Sequence, residues 1–338
     1  MSTPPNGQRL SQTDRLKHIV FGKPRDLQDT GLFHRLALIP FLAWVGLGAD
    51  GLSSSAYGPE EAFKALGEHT FLAVGLVVLM ATTVLLISAA YSRLIEEFPT
   101  GGGGYVVATK LLGERAGVVS GSALLVDYVL TITTSIAAAG DAIFSFLPPQ
   151  WLAFKLGVEV LLIVFLVTIN LRGVRESVLF LLPIFLTFLL THVLLIGGGI
   201  IGHASELGST VRNVGEVYRH GVGTLGVTAT ILLFLRAYSL GGGTYTGIEA
   251  VSNGLSIMRE PKVQTGKRTM FYMATSLAFT ASGLLLCYLL WHIAPQYGKT
   301  MNAVLVERLA SGEYLLTIEA AQRDRVARRG VRFTVQQP

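Results

Sequence analysis

The chain has 338 residues, of which 51% are hydrophobic and only 14% charged, with a formal net charge of +5. A soluble domain carries about 25% charged residues. Here the deficit falls in blocks of roughly 20 residues with almost no charge, the length that crosses about 30 Å of hydrocarbon. The pattern is that of a polytopic membrane protein. The positive charge is not a nucleic-acid footprint, because the basic residues sit in short loops between apolar blocks, where membrane topology accounts for them. The one cysteine, Cys287, excludes a disulfide framework within the chain and a zinc cage built from cysteines. It lies in an apolar run and reads as an inert buried thiol.

Residues 1–30 are polar and read as a cytoplasmic N-terminal segment. They contain no apolar stretch ahead of a small-residue cleavage site, so no cleavable signal peptide is expected. Seven apolar segments follow: Leu36–Leu66, Phe71–Leu94, Ala116–Phe146, Trp151–Leu171, Val178–Gly202, Leu225–Met258 and Met270–Ile293. Each is continuously apolar, whereas the strands of a barrel would alternate over about 10 residues, so each reads as a helix.

Loop charges give the orientation. Arg9, Arg15, Lys17, Lys23, Arg25 and Arg35 precede the first segment. Arg93, Lys110 and Arg115 follow the second, Arg172 and Arg175 the fourth, and Arg259, Lys262, Lys267 and Arg268 the sixth. The opposite loops are poorer, with Lys64, Lys155, Arg212 and Arg219. The positive-inside rule then places the N-terminus in the cytoplasm.

The first and sixth segments are longer than one crossing, and each breaks at glycines, in "GLGADGLSSSAYGPEE" and "SLGGGTYTGIE". They lie five segments apart, so they cross in opposite directions. Two broken helices at matching places in two inverted halves point to the substrate site of a secondary transporter. Open backbone at membrane depth is tolerated where protein or a water-filled cavity covers it. The expectation is that half-helix ends and freed carbonyls serve as ligands.

Asp50 lies inside the first break. An acid in a membrane segment is costly and tends to mark an ion path. Its sign disfavours a substrate carboxylate and favours a metal cation, a proton or an amine. Asp127, in "LLVDYVLTITTS", is followed by Tyr128, Thr131 and Ser135, which place three hydroxyls on one helical face. Such oxygens suit a weakly bound monovalent cation, although hydroxyls in a helix also back-bond to the preceding turn. Glu249, just after the second break, is placed to couple protons or to clamp the helix. Asp141 reads as interfacial.

Other features carry less. "PTGGGGYVV" lacks the lysine of a phosphate loop and reads as a sharp cytoplasmic turn. "LIGGGIIG" reads as close helix packing. Arg236 snorkels or pairs with an acid. His192, His203 and His292 form no metal-spaced pair. No nucleophile–base pair, metal box or cofactor motif is present, so neither an enzyme nor a cofactor is expected.

"ADGLSSSAYGPE", "EEFPTGGGGYVVATKLLGERAG", "SALLVDYVLTITTSIAAAGDAI", "NLRGVRES" and "GGGTYTGIEAVSNG" together resemble the amino acid–polyamine–organocation (APC) superfamily. Within it the chain is most similar to potassium–proton symporters of the KimA/KUP type. The resemblance implies an all-α, LeuT/APC-type inverted-repeat fold, often homodimeric, with about seven of the usual twelve transmembrane helices present. It implies a potassium site at the breaks, with Asp50 and Tyr57 from the first helix, Tyr128, Thr131 and Ser135 from the third, and Thr246 from the sixth. It implies that Asp127 and Glu249 take part in proton coupling. A transported cation and proton in a bacterial-type plasma membrane are the implied partners, an amino acid or amine permease the alternative. The permease region is then 31–293. Residues 294–338 lack a further crossing segment, carry a basic cluster from Arg323 to Arg332, and read as a truncated or frameshifted tail. A non-transporting fragment is accordingly a third reading.

Overall fold

The computed structural model describes residues 37–203 and 225–311, the backbone of two strands at 313–322 and 325–334, and isolated positions elsewhere. The polar segment 1–30 (Gln12 apart), Arg212, Arg219 and the side chains of the basic cluster at 323–332 lie outside the described residues.

The first apolar segment divides into α1 (Pro40–Ser54) and α2 (Gly58–Leu66). Each carries a proline in its first two positions, where the missing N–H removes no helical bond. One 3-10 turn, Thr70–Leu72, leads into α3 (Ala73–Glu97). A short helix, α4 (Gly103–Leu112), occupies what the sequence presents as a loop. Next come α5 (Glu114–Phe144), then α6 (Lys155–Leu171) behind a 3-10 stretch at Pro149–Phe154, then α7 (Val174–Gly202). The sixth segment divides into α8 (Val227–Leu240), a 3-10 stretch Gly241–Tyr245, α9 (Ala250–Asn253) and a second 3-10 turn Gly254–Ile257. The body closes with α10 (Lys262–Leu290) and α11 (Met301–Ser311). Beyond it, β1 (Glu313–Gln322) and β2 (Arg325–Thr334) pair antiparallel, Glu313 opposite Thr334.

Among the described residues, five helical stretches are long and apolar enough to cross a membrane: Thr70–Glu97, Glu114–Phe144, Pro149–Leu171, Val174–Gly202 and Lys262–Leu290. The halves of the broken segments are too short alone. α1 has 15 residues and α8 has 14, about 20 Å of helix each at 1.5 Å per residue. Helix ends differ from the apolar limits where polar turns continue the ladder. α10 begins at Lys262 rather than Met270, because "KVQTGKRT" is helical: Thr265 N–H already donates to Pro261 at 3.0 Å.

The two broken segments run antiparallel. α1 packs against α9, and α2 packs against α8, so each half meets the opposite half of the other segment. At one end Leu38 exchanges 2.9 Å backbone bonds with Ile257 and Arg259. α3 and α10 brace this pair by their extensive mutual contact. The packing uses small residues, as membrane helices do: a Cβ on Gly283 would meet Ile196, and one on Gly199 would meet Cys287.

Two apolar cores result. One gathers Leu38, Leu52, Val84, Ile95, Ile248, Leu255, Met270 and Leu277. The other gathers Phe63, Leu76, Met80, Ala237, Leu284, Tyr288 and Leu305. α3 changes core between Met80 and Val84, and α10 between Leu277 and Ala281. The breaks at 55–57 and 241–249 lie at that boundary, so the polar groups sit in a layer between two apolar bodies. α6 has no buried residue and presents Leu161, Val164 and Val167 outward, as a lipid-facing helix does.

Candidate functional site at the junction of the two helix breaks

The first break forms because α1 ends in three serines. Ser53 and Ser54 Oγ donate to the Asp50 carbonyl at 2.7 and 3.3 Å, and Ser55 Oγ donates to the Leu52 carbonyl at 2.6 Å. The backbone tightens to i→i+3 bonds at Ser55, Ala56 and Tyr57, and Gly58 restarts the helix as α2. Carbonyls that the sequence suggests as free ligands are thus occupied: Asp50 and Leu52 already accept from serine hydroxyls.

The second break meets the first at van der Waals distance. Gly247 has φ +86°, and a Cβ there would lie 2.6 Å from Gly51 N and 2.8 Å from Asp50 Cγ. A Cβ on Gly58 would lie 2.1 Å from Thr244 Oγ1. Glycine at 58 and 247 is therefore what lets the two interrupted backbones touch. The Asp50 carboxyl is held against the second break.

Hydroxyls bridge the junction. Tyr57 O–H donates to Ser54 Oγ at 3.2 Å, Ser54 Oγ stands 3.1 Å from Thr246 Oγ1, and Thr246 donates to the Gly243 carbonyl at 2.8 Å. With the Thr246 proton on Gly243, Thr246 is left as an acceptor, and the single Ser54 proton points either to Thr246 or to the Asp50 carbonyl. The hydroxyls of Tyr57, Ser54 and Thr246 thus link the two breaks.

α5 supplies the third side. Asp127 and Tyr128 are half-buried, and Thr131 is buried. Ser135 Oγ is buried with no hydrogen-bond partner among the described residues. The neighbouring Thr133 and Thr134 behave differently: both are exposed and back-bond to Val129 and Leu130. Tyr128 OH accepts a 2.7 Å bond from Asn253 Nδ2 at the end of α9. Asp50, Asp127 and Glu249 lie close enough for their charges to act on one another, with Tyr128 and Tyr91 in the same field. Glu249 Oε1 is buried without a hydrogen-bond partner among the described residues. No three acid, histidine or cysteine side chains there converge as metal ligands.

A cavity of about 570 Å³ reaches the junction from the end of the molecule that carries residues 295–302. Its walls include Ala56, Tyr57, Glu60, Asp141, Thr300 and Asn302. Glu60 is buried, pairs with Lys64 at 2.6 Å and accepts the Met301 N–H at 3.0 Å. Thr300 N–H donates to Ser145 Oγ at 2.9 Å, and Asn302 Nδ2 reaches the Ala56 carbonyl at 3.4 Å.

Asp50 and Tyr57 lie at the first break, Thr246 and Glu249 at the second, and Asp127, Tyr128, Thr131 and Ser135 on α5, where Tyr128 is bonded to the sixth segment through Asn253 and Thr131 and Ser135 follow along the helix. Asp141 lies apart, paired with Lys155 at 2.5 Å. Arg236 is exposed on α8 and joins no ion pair among the described residues. Ser54 carries no signal of this role in the sequence, because its bridging bond depends on a residue 192 positions away. Asn253 and Glu60 likewise gain their partners only in the fold.

The profile of the family described as "Amino acid permease" matches residues 51–310. The "Potassium transporter KimA" of Bacillus subtilis (strain 168) is 30% identical over 305 residues, which is 85% of this chain and 46% of that relative. The chain thus spans about half the length of the curated relative it matches. With its apolar crossing helices and its two abutting helix breaks, the chain belongs to the amino acid permease family of the APC superfamily and is a membrane protein.

Proposed function

We propose that the protein is a secondary active transporter for proton-coupled potassium uptake, set in a bacterial plasma membrane with its N-terminus in the cytoplasm. The observation that carries this reading is Asp50, held inside one helix break and against Gly247 of the other. A carboxylate at the meeting of two interrupted helices attracts a cation and repels a substrate carboxylate. Asp50, Tyr57, Tyr128, Thr131, Ser135 and Thr246 form the cation site. Asp127 and Glu249 carry the coupled proton. The name of the relative, a potassium transporter, supports the choice of ion. Transport follows alternating access, one group of helices rocking against another about the fixed site.

The family description favours a second reading, an amino acid or amine permease. The test is growth of a potassium-uptake-deficient bacterium on limiting potassium. Rescue by the protein supports potassium uptake. Absence of rescue with the protein present in the membrane, together with uptake of a labelled amino acid or amine, replaces it with the second reading.

A further inference from the structure

Asn253 is the last residue of α9, within the sixth apolar segment. Its side chain does something more specific. Nδ2 donates to Tyr128 OH at 2.7 Å. Oδ1 is buried, with no hydrogen-bond partner among the described residues, and faces Gly103. A Cβ on Gly103 would stand 2.0 Å from that oxygen and 3.1 Å from Asn253 Cγ. Two residues earlier, a Cβ on Gly101 would meet the Asn253 carbonyl at 3.3 Å. The glycine run after α3 is therefore more than a turn: its backbone lies directly on Asn253, closer than any other residue type allows.

We propose that Asn253 is a positioning residue for Tyr128, and that Gly103 is glycine because the Asn253 amide fills the space of its missing side chain. The proposal rests on the cation-site reading given above. A phenol oxygen both accepts and donates. Accepting from Asn253 leaves the Tyr128 proton for another acceptor, and the acids whose charge reaches Tyr128 are Glu249, Asp50 and Asp127. α5 packs mainly on α4 and α6, so the Asn253 bond ties the hydroxyl-bearing helix to the broken segment at the level of the site. The α3–α4 loop sets the place of Asn253, and Asn253 sets the place of Tyr128.

The test places 3-fluorotyrosine at position 128 in the whole transporter and reads its fluorine NMR signal, beside the half-saturation and maximum rate of potassium uptake. Asn253→Ala and Gly103→Ala should move the signal alike and raise half-saturation about fivefold, with little change in maximum rate per transporter. The double variant should go no further than either single one. Gly113→Ala controls for backbone strain, since Gly113 has φ +95° with open space around it; it should leave the signal in place. An unmoved signal in Asn253→Ala, additive effects in the double variant, or a moved signal with unchanged half-saturation overturns the proposal. Full uptake by Asp50→Asn would instead overturn the cation-site reading, while the NMR arm still decides whether Asn253 positions Tyr128.

Discussion

Gly247→Ala attacks the junction without removing a polar group. Gly247 has φ +86°, and the added Cβ would lie 2.6 Å from Gly51 N, 2.8 Å from Asp50 Cγ and 2.9 Å from the Asp50 carbonyl carbon. Two of these three atoms are backbone, which cannot swing aside as a side-chain tip can. The left-handed conformation costs an L residue about 1–2 kcal/mol, and forcing a methyl into a packed space costs about 1–3 kcal/mol more. Together that is about 2–5 kcal/mol, and with about 1.4 kcal/mol per tenfold, the native approach of the two breaks becomes at least about thirtyfold less populated. Gly242→Ala is the control, because its Cβ would meet nothing within 4 Å. Half-saturation for potassium uptake and the Tm of purified protein are the assays. Gly247→Ala should raise the first and lower the second, and Gly242→Ala should change neither. A Gly247→Ala protein with wild-type half-saturation and Tm would refute the contact between the breaks.

Ser54→Ala removes the middle of the hydroxyl chain, taking the acceptor from Tyr57 and a partner from Thr246. At about 1 kcal/mol per hydrogen bond, uptake should need several-fold more potassium, measured as half-saturation. Glu60→Ala strips the Met301 N–H of its acceptor and Lys64 of the nearer of its two carboxylate partners. The unsatisfied buried donor costs about 1–3 kcal/mol, so Tm should fall by several degrees in a thermal-shift assay, and Glu60→Gln, which keeps the acceptor, should fall less. Thr133→Ala and Thr134→Ala remove only exposed back-bonds and should leave uptake at wild-type levels, in contrast to Thr131→Ala.

Much of the site is legible in the chain because membranes make polar residues conspicuous. Asp50 stands out within an apolar run, and the glycines around it mark the break. The hydroxyl face of α5 follows from spacing alone. Ser54 does not, because serines at a helix end have two outlets, the local carbonyls, which Ser53 and Ser55 take, or a partner across the bundle, and Ser54 reaches both the Asp50 carbonyl and Thr246. Choosing between them requires the register of a segment 192 residues away. Asn253 and Gly103 are hidden for the same reason: each looks ordinary until the other is set beside it. The start of α10 at Lys262 was masked differently, since apolar content marks the depth of hydrocarbon and not the first helical hydrogen bond.

The most direct measurement of the central claim is the potassium-dependent rise in Tm of the purified protein, taken for wild type and Asp50→Asn. A ligand that binds the folded form raises its stability by RT ln(1 + [L]/Kd). The account predicts a rise with potassium in the wild type, none with choline or amino acids, and none with potassium in Asp50→Asn at wild-type amounts in the membrane. A wild-type rise with amino acids but not potassium, or an undiminished potassium response in Asp50→Asn, would contradict a cation site built on Asp50.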